Sequence, residues 1–200
     1  MGNGRLVKIE ALAAADICAR FEVKKEALEL VRSGMTPREF LEALMAKRQY
    51  ANAIDFLAHA LPAREGVWWG CLCLQHAFGN NLTAPDRAAL LAAVQWVRQP
   101  TEANRAVAQA PAEASGLASS ASSLAMAAAL AGATGAAPIS PAKAVAHAVK
   151  ISATKGGAAR FADTQRLFVE LGTGVAEGCW SWPEDQNESS AFGRTGVMGD

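Results

Sequence analysis

Any metal or acid–base chemistry in this chain falls to its four cysteines, three histidines and the carboxylates near them. Cys71, Cys73 and His76, together with His59, come nearest to a ligand set. Zinc wants four converging ligands, and paired cysteines usually have two residues between them. Cys71 and Cys73 have one, which on a helix turns them about 200° apart, so they cannot clasp one ion. Core thiols beside tryptophan are expected instead, with no metal and no cofactor. Asp55 and His59 lie four residues apart, the spacing of an acid–histidine pair on one helical face. Such a pair can orient a general base, but no nucleophile is flagged beside it, so catalysis is not expected. Gly172, Gly174 and Gly178 fall late in a helical pattern, whereas a dinucleotide fingerprint must follow a strand and open a helix. They read as close-packing and capping glycines. Neither a phosphate-binding G-x-x-x-x-G-K-[ST] run nor a hydrolase G-x-S-x-G elbow occurs.

Trp68 and Trp69 leave two readings open. Adjacent helical residues diverge by about 100°, so both are interior only if their helix is surrounded. Otherwise one of them faces outward, where tryptophan anchors protein interfaces. Arg64 and Glu65 would then form a polar rim, and Trp96 with Arg98 is a second candidate of the same kind. Protein binding through Arg64, Glu65, Trp68, Trp69, Trp96 and Arg98 is the site expectation. No catalytic residue is assigned.

The elements holding these residues are helices. The spacing predicts helices over 9–20 and 24–32, and Thr36-Pro37-Arg38-Glu39 is a capping box with proline at the first helical position. Phe40, Leu41 and Leu44 follow on that helix, and Tyr50–Ala60 is the next. Pro62 opens a helix to Phe78 that Gly79 stops, with Val67, Cys71, Leu74 and Phe78 on one stripe and Trp68 and Leu72 on another. Two stripes mark this as the central helix. Thr83 and Thr101 cap two more, and Pro111 is expected to kink or end the second. A helix over 117–131, a loop over 132–140, a helix from Ser140-Pro141 to Gly156-Gly157 and a last helix over 158–177 complete the pattern. With no period-two run, the fold class is all-α. A single domain of about nine helices is expected, packed as successive antiparallel hairpins in a bundle or short solenoid-like array. Its bounds are 9–180, after an N-terminal arm over 1–8 and before a disordered tail over 181–200.

Length and composition narrow the functional classes. Two hundred residues suit one core, and 51% apolar residues rule out general disorder. Nineteen basic and nineteen acidic residues cancel, giving no support to nucleic-acid binding. Irregularly spaced cysteines suggest reduced thiols and a cytoplasmic location. Lys8, Glu10 and Asp16 break any signal-peptide core, and Leu6 replaces the Ser or Thr that myristoylation wants. Between Glu113 and Lys143 no residue is charged, but the stretch is mostly Ala, Ser and Gly, broken by Pro138 and Pro141. A packed interior helix, not a membrane span, is expected there.

Several runs carry a family likeness. They are Met35-Thr36-Pro37-Arg38-Glu39-Phe40, then Ala53-Ile54-Asp55-Phe56-Leu57-Ala58-His59-Ala60-Leu61-Pro62, then Arg64-Glu65-Gly66-Val67-Trp68-Trp69-Gly70-Cys71-Leu72. Together with Trp96-Val97-Arg98 and Pro100-Thr101-Glu102-Ala103-Asn104-Arg105, these resemble an uncharacterised bacterial all-helical family, a DUF6931-like domain of unknown function, over residues 8–183. Gly66 and Gly70 stand where that resemblance leads one to expect alanine. The resemblance implies no catalytic residue and an association with type VI secretion gene clusters. The expected function is therefore a non-enzymatic accessory protein that binds another protein, as adaptor or chaperone for a secretion effector or spike component. Two alternatives remain: a helical enzyme or small-molecule binder with a cleft near Asp55 and His59, and a structural α-solenoid. No fixed repeat period supports the last.

Overall fold

Alanine- and leucine-rich runs bounded by serine, threonine, proline and glycine become ten helices, with no strand, among the described residues. The computed structural model describes residues 5–132 and 139–179. The expected tail over 181–200 and most of the expected loop over 132–140 lie outside them.

Two helices open the chain, α1 (Ala14–Cys18) and α2 (Lys25–Leu28), both shorter than the apolar spacing suggests. Neither start has a side-chain cap, and tertiary partners claim the backbone instead. The Ala14 amide donates to the Met35 carbonyl at 2.8 Å, and the Lys8 amide donates to the Ala176 carbonyl at 2.9 Å. Leu6 and Ile9 are core residues, so the segment before α1 is packed onto the helices.

The capping box at Thr36 forms as read: its hydroxyl accepts from the Glu39 amide while the Glu39 carboxylate accepts from the Thr36 amide at 2.8 Å. It starts α3 (Pro37–Ala46), which is followed by α4 (Tyr50–Ala60) and α5 (Ala63–Phe78). Thr83 and Thr101 each accept from the amide three residues on, opening α6 (Ala84–Arg98) and α7 (Glu102–Ser115). Of the two outcomes expected at Pro111, an end to the helix is not seen: α7 runs on to Ser115. A proline at 111 cannot donate to the Val107 carbonyl, but Val107 is exposed, so water can take that acceptor. Ser119 and Ser140 cap α8 (Ser120–Leu130) and α9 (Pro141–Thr154), and Gly157, at φ 74°, leads into α10 (Ala158–Ala176).

Two helices are central, not one. Along α5 the run Gly66 to Cys71 is buried, with Cys73 and Leu74 beyond it. The small residues of α8 are buried on nearly every side, because α8 is packed by α5, α6, α7 and α9. Small side chains let these backbones approach, and Leu124 of α8 fills the space over Gly70, where a Cβ would lie 2.2 Å from Leu124 Cδ2. Glycine rather than alanine is thus required at 70. At 66 an added Cβ would meet only Val145 Cγ2, at an ordinary 3.8 Å. Neighbouring helices pack pairwise from α5 to α10, and α9 and α10 then return to close over α4 and α5. Among the described residues no helix is long and apolar enough to cross a membrane.

Candidate functional site

The tryptophans come first, because the expected interface depended on one of them facing solvent. Trp69 is fully buried, and Trp68 and Trp96 are 4% and 6% exposed. The Trp69 indole donates from Nε1 to the Phe168 carbonyl of α10 at 2.8 Å. Gly172 makes room for that ring, since a Cβ there would lie 2.7 Å from Trp69 Cε2. Arg64 is a helix cap: its guanidinium donates to the Val97 carbonyl at 2.6 Å and the Arg98 carbonyl at 3.0 Å, the end of α6. Glu65 pairs with Lys8 at 3.7 Å and is largely covered. Arg64, Glu65 and Trp69 therefore join elements together, and Trp68 and Trp96 lie in the core. Burial withdraws the outward-facing tryptophan that a binding role for Trp68, Trp69 or Trp96 needs.

Asp55 and His59 do share a face, but not a side-chain bond. His59 Nδ1 lies 2.8 Å from the Asp55 backbone carbonyl, while the Asp55 carboxylate pairs with Lys150 of α9. Packing of α9 across α4 supplies a cation that outcompetes a neutral imidazole for the carboxylate. Burial is the largest influence lowering the His59 pKa below the ordinary histidine range, only partly offset by Asp55. Ser123 and His147, a contact between residues remote in sequence, lie 3.1 Å apart from Oγ to Nδ1. The single Ser123 hydroxyl proton goes to the Ser119 carbonyl at 2.7 Å, so the imidazole donates to Oγ rather than activating it. Ser123 is also fully buried. Burial pushes the Cys71 and Cys73 thiols well up, as inert core thiols require. Among the described residues no group of three or more His, Cys, Asp or Glu is placed to hold a metal ion.

A concave surface bordered by one exposed apolar side chain occurs elsewhere, where the N-terminal segment meets α3. Leu6 and Ile9 are drawn into the core, which turns Leu12 outward at 78% exposure. Leu12 borders a hollow of about 310 Å³ with Leu6, Ile9, Ala11 and Pro37, and the charged residues along it are Arg5 and Arg38. Arg38 is fixed by ion pairs to Glu177, just beyond α10, and to Glu42 one turn on. A second hollow of about 310 Å³ lies on the other side of Arg38, between Leu41, Met45, Thr173 and Gly174. The capping box sets this arginine: Thr36 starts α3, and Arg38 falls in its first turn, aimed at the end of α10. Sequence reading missed the surface because Leu12 looks like one more apolar position of a longer first helix.

A family model described as "Family of unknown function (DUF6931)" matches residues 40–176. No curated protein and no solved structure gives a match.

Proposed function

We propose that this chain, which belongs to the DUF6931 family of unknown function, is a non-enzymatic accessory protein that binds another protein through the grooved surface around Leu12 and Arg38. One observation carries the reading: a leucine 78% exposed stands at the lip of an apolar hollow lined by Arg5 and by Arg38, whose charge is already paired with Glu177 and Glu42. Apolar surface concentrated at a concavity is the usual mark of a docking site, in contrast to single exposed apolar residues on convex surface. The occupant that fits is a protein segment with an apolar anchor for the hollow and a carboxylate facing Arg5. The finer reading is an adaptor or chaperone for a type VI secretion effector or spike component in a bacterial cytoplasm. It is supported by the resemblance of the tryptophan-bearing runs described above.

The test is affinity capture of the tagged full chain from its native cells, beside Arg5→Glu, Leu12→Glu and Leu91→Glu variants. Arg5, Leu12 and Leu91 are exposed, so all three variants are expected to fold. The proposal predicts recovery of one protein in stoichiometric amount, lost with Arg5→Glu and Leu12→Glu but kept with Leu91→Glu. If that protein is a spike or effector component, the finer reading stands; if it is unrelated to secretion, the finer reading fails. Equal capture by all four chains would overturn the assignment to this surface.

A further inference from the structure

A third hollow, of about 300 Å³, opens where the end of α4 meets the first turns of α5 and α9, and it is separate from the surface at Arg38. Its walls include Leu61, Pro141 and Val145, and its polar side chains include Arg20 and His59. Two features suggest that this is more than a packing fault.

First, its polar groups are set in complementary roles. Arg20 donates from Nη1 to the His59 carbonyl at 3.2 Å, which places a guanidinium on the rim. Among the described residues, no carboxylate lies within ion-pair distance of Arg20. A carbonyl only accepts, so the His59 Nδ1 facing the Asp55 carbonyl at 2.8 Å carries the hydrogen. In the neutral ring Nε2 is then an acceptor. Phe21 stacks on this imidazole at 4.2 Å between centroids and 14° between planes, which fixes its orientation.

Second, the hollow is kept open by a glycine that the helix does not need. Gly66 lies buried in the first turns of α5, where alanine would favour the helix by about 1 kcal/mol. The nearest atom to an added Cβ is 3.8 Å away, so packing does not exclude alanine, unlike at Gly70 one turn later. What a methyl group at 66 would fill is the hollow itself.

We propose that this hollow binds a small monocarboxylate with a branched apolar body and one hydrogen-bond donor. The carboxylate pairs with Arg20, the apolar body rests on Leu61, Pro141 and Val145 above Gly66, and the donor meets His59 Nε2. A volume of about 300 Å³ leaves room for a small organic acid. The adjoining first turns of α5 and α9 add a positive field that favours the anion without selecting it.

The probe is 2-hydroxy-4-methylpentanoate, titrated into the full chain and followed by two-dimensional NMR, with its neutral amide, 2-hydroxy-4-methylpentanamide, as comparison. Saturable binding is expected, with shifts at the Gly66 amide and the His59 ring. Arg20→Gln and the amide probe should each weaken it roughly tenfold or more, as for loss of a charge-assisted contact. Gly66→Ala should abolish binding while keeping or raising the thermal midpoint, which separates ligand loss from misfolding. No saturable shift at millimolar probe would overturn the proposal, as would equal affinity in Arg20→Gln and Gly66→Ala. Neither result bears on protein capture at Leu12.

Discussion

Glycines 66, 70 and 172 show how much one methyl group decides in a core built from small residues. At Gly70 a Cβ would overlap Leu124, and at Gly172 it would overlap Trp69. Gly70→Ala is predicted to destabilise the protein by about 1–3 kcal/mol through overpacking. Leu124→Ala is predicted to cost about 2–5 kcal/mol through the cavity it leaves. Because the two side chains compete for one space, the double variant should cost clearly less than the sum, read from urea midpoints. Additive costs would mean that Leu124 does not sit over Gly70. The histidines give a pH dependence with a definite sign. His59 and His147 are both held below the ordinary histidine pKa, first by burial. The unfolded chain therefore binds protons more readily, and stability is full above the ordinary value near 6.5 and lost as pH falls below it. The urea midpoint should fall between about pH 7.5 and 5.5, and the fall should shrink in His59→Gln. A midpoint independent of pH across that window would count against burial of these rings.

At the scale of elements, the chain's punctuation was legible wherever the deciding partner is local. Thr36, Thr83, Thr101 and Ser140 cap helices at the positions their spacing indicates, because each bond closes within three residues. The first helix starts later than its apolar spacing indicates because Ala14 gives its amide to Met35 and the preceding Lys8 gives its own to Ala176, choices that no local pattern records. Trp68 and Trp69 were undecidable for the same reason: the carbonyl that receives the Trp69 indole belongs to Phe168, ninety-nine residues away. The groove at Leu12 was illegible because it depends on the N-terminal segment lying back along α3. Pro111 is the one local signal that misled. Inside a continuous α7 it should still carry a penalty, so Pro111→Ala is predicted to raise stability by about 1–2 kcal/mol, measured by urea denaturation. A loss of stability would show that the proline ring contributes packing worth more than the missing helical bond.

Over the whole molecule, the last two helices make one body of what would otherwise be two hairpin groups. Both α9 and α10 lie on α4 and on α5, bringing Lys150 to Asp55 and the Phe168 carbonyl to Trp69. Their closure also shapes the surface at Arg38, because Glu177, just beyond α10, holds that side chain in place between its two hollows. Of the residues that sequence reading offered for binding, Trp69 takes part in this closure, while Arg64 ties α5 to α6 and Glu65 ties α5 to the N-terminal segment. The most direct check is site-specific photo-crosslinking in the native cell, with p-benzoylphenylalanine placed at position 12 or, as a comparison, at the exposed position 91 of α6. A discrete protein adduct from position 12 and none from position 91 is the predicted result. Adducts from position 91 alone, or from neither position, would contradict a partner seated on the Leu12 groove.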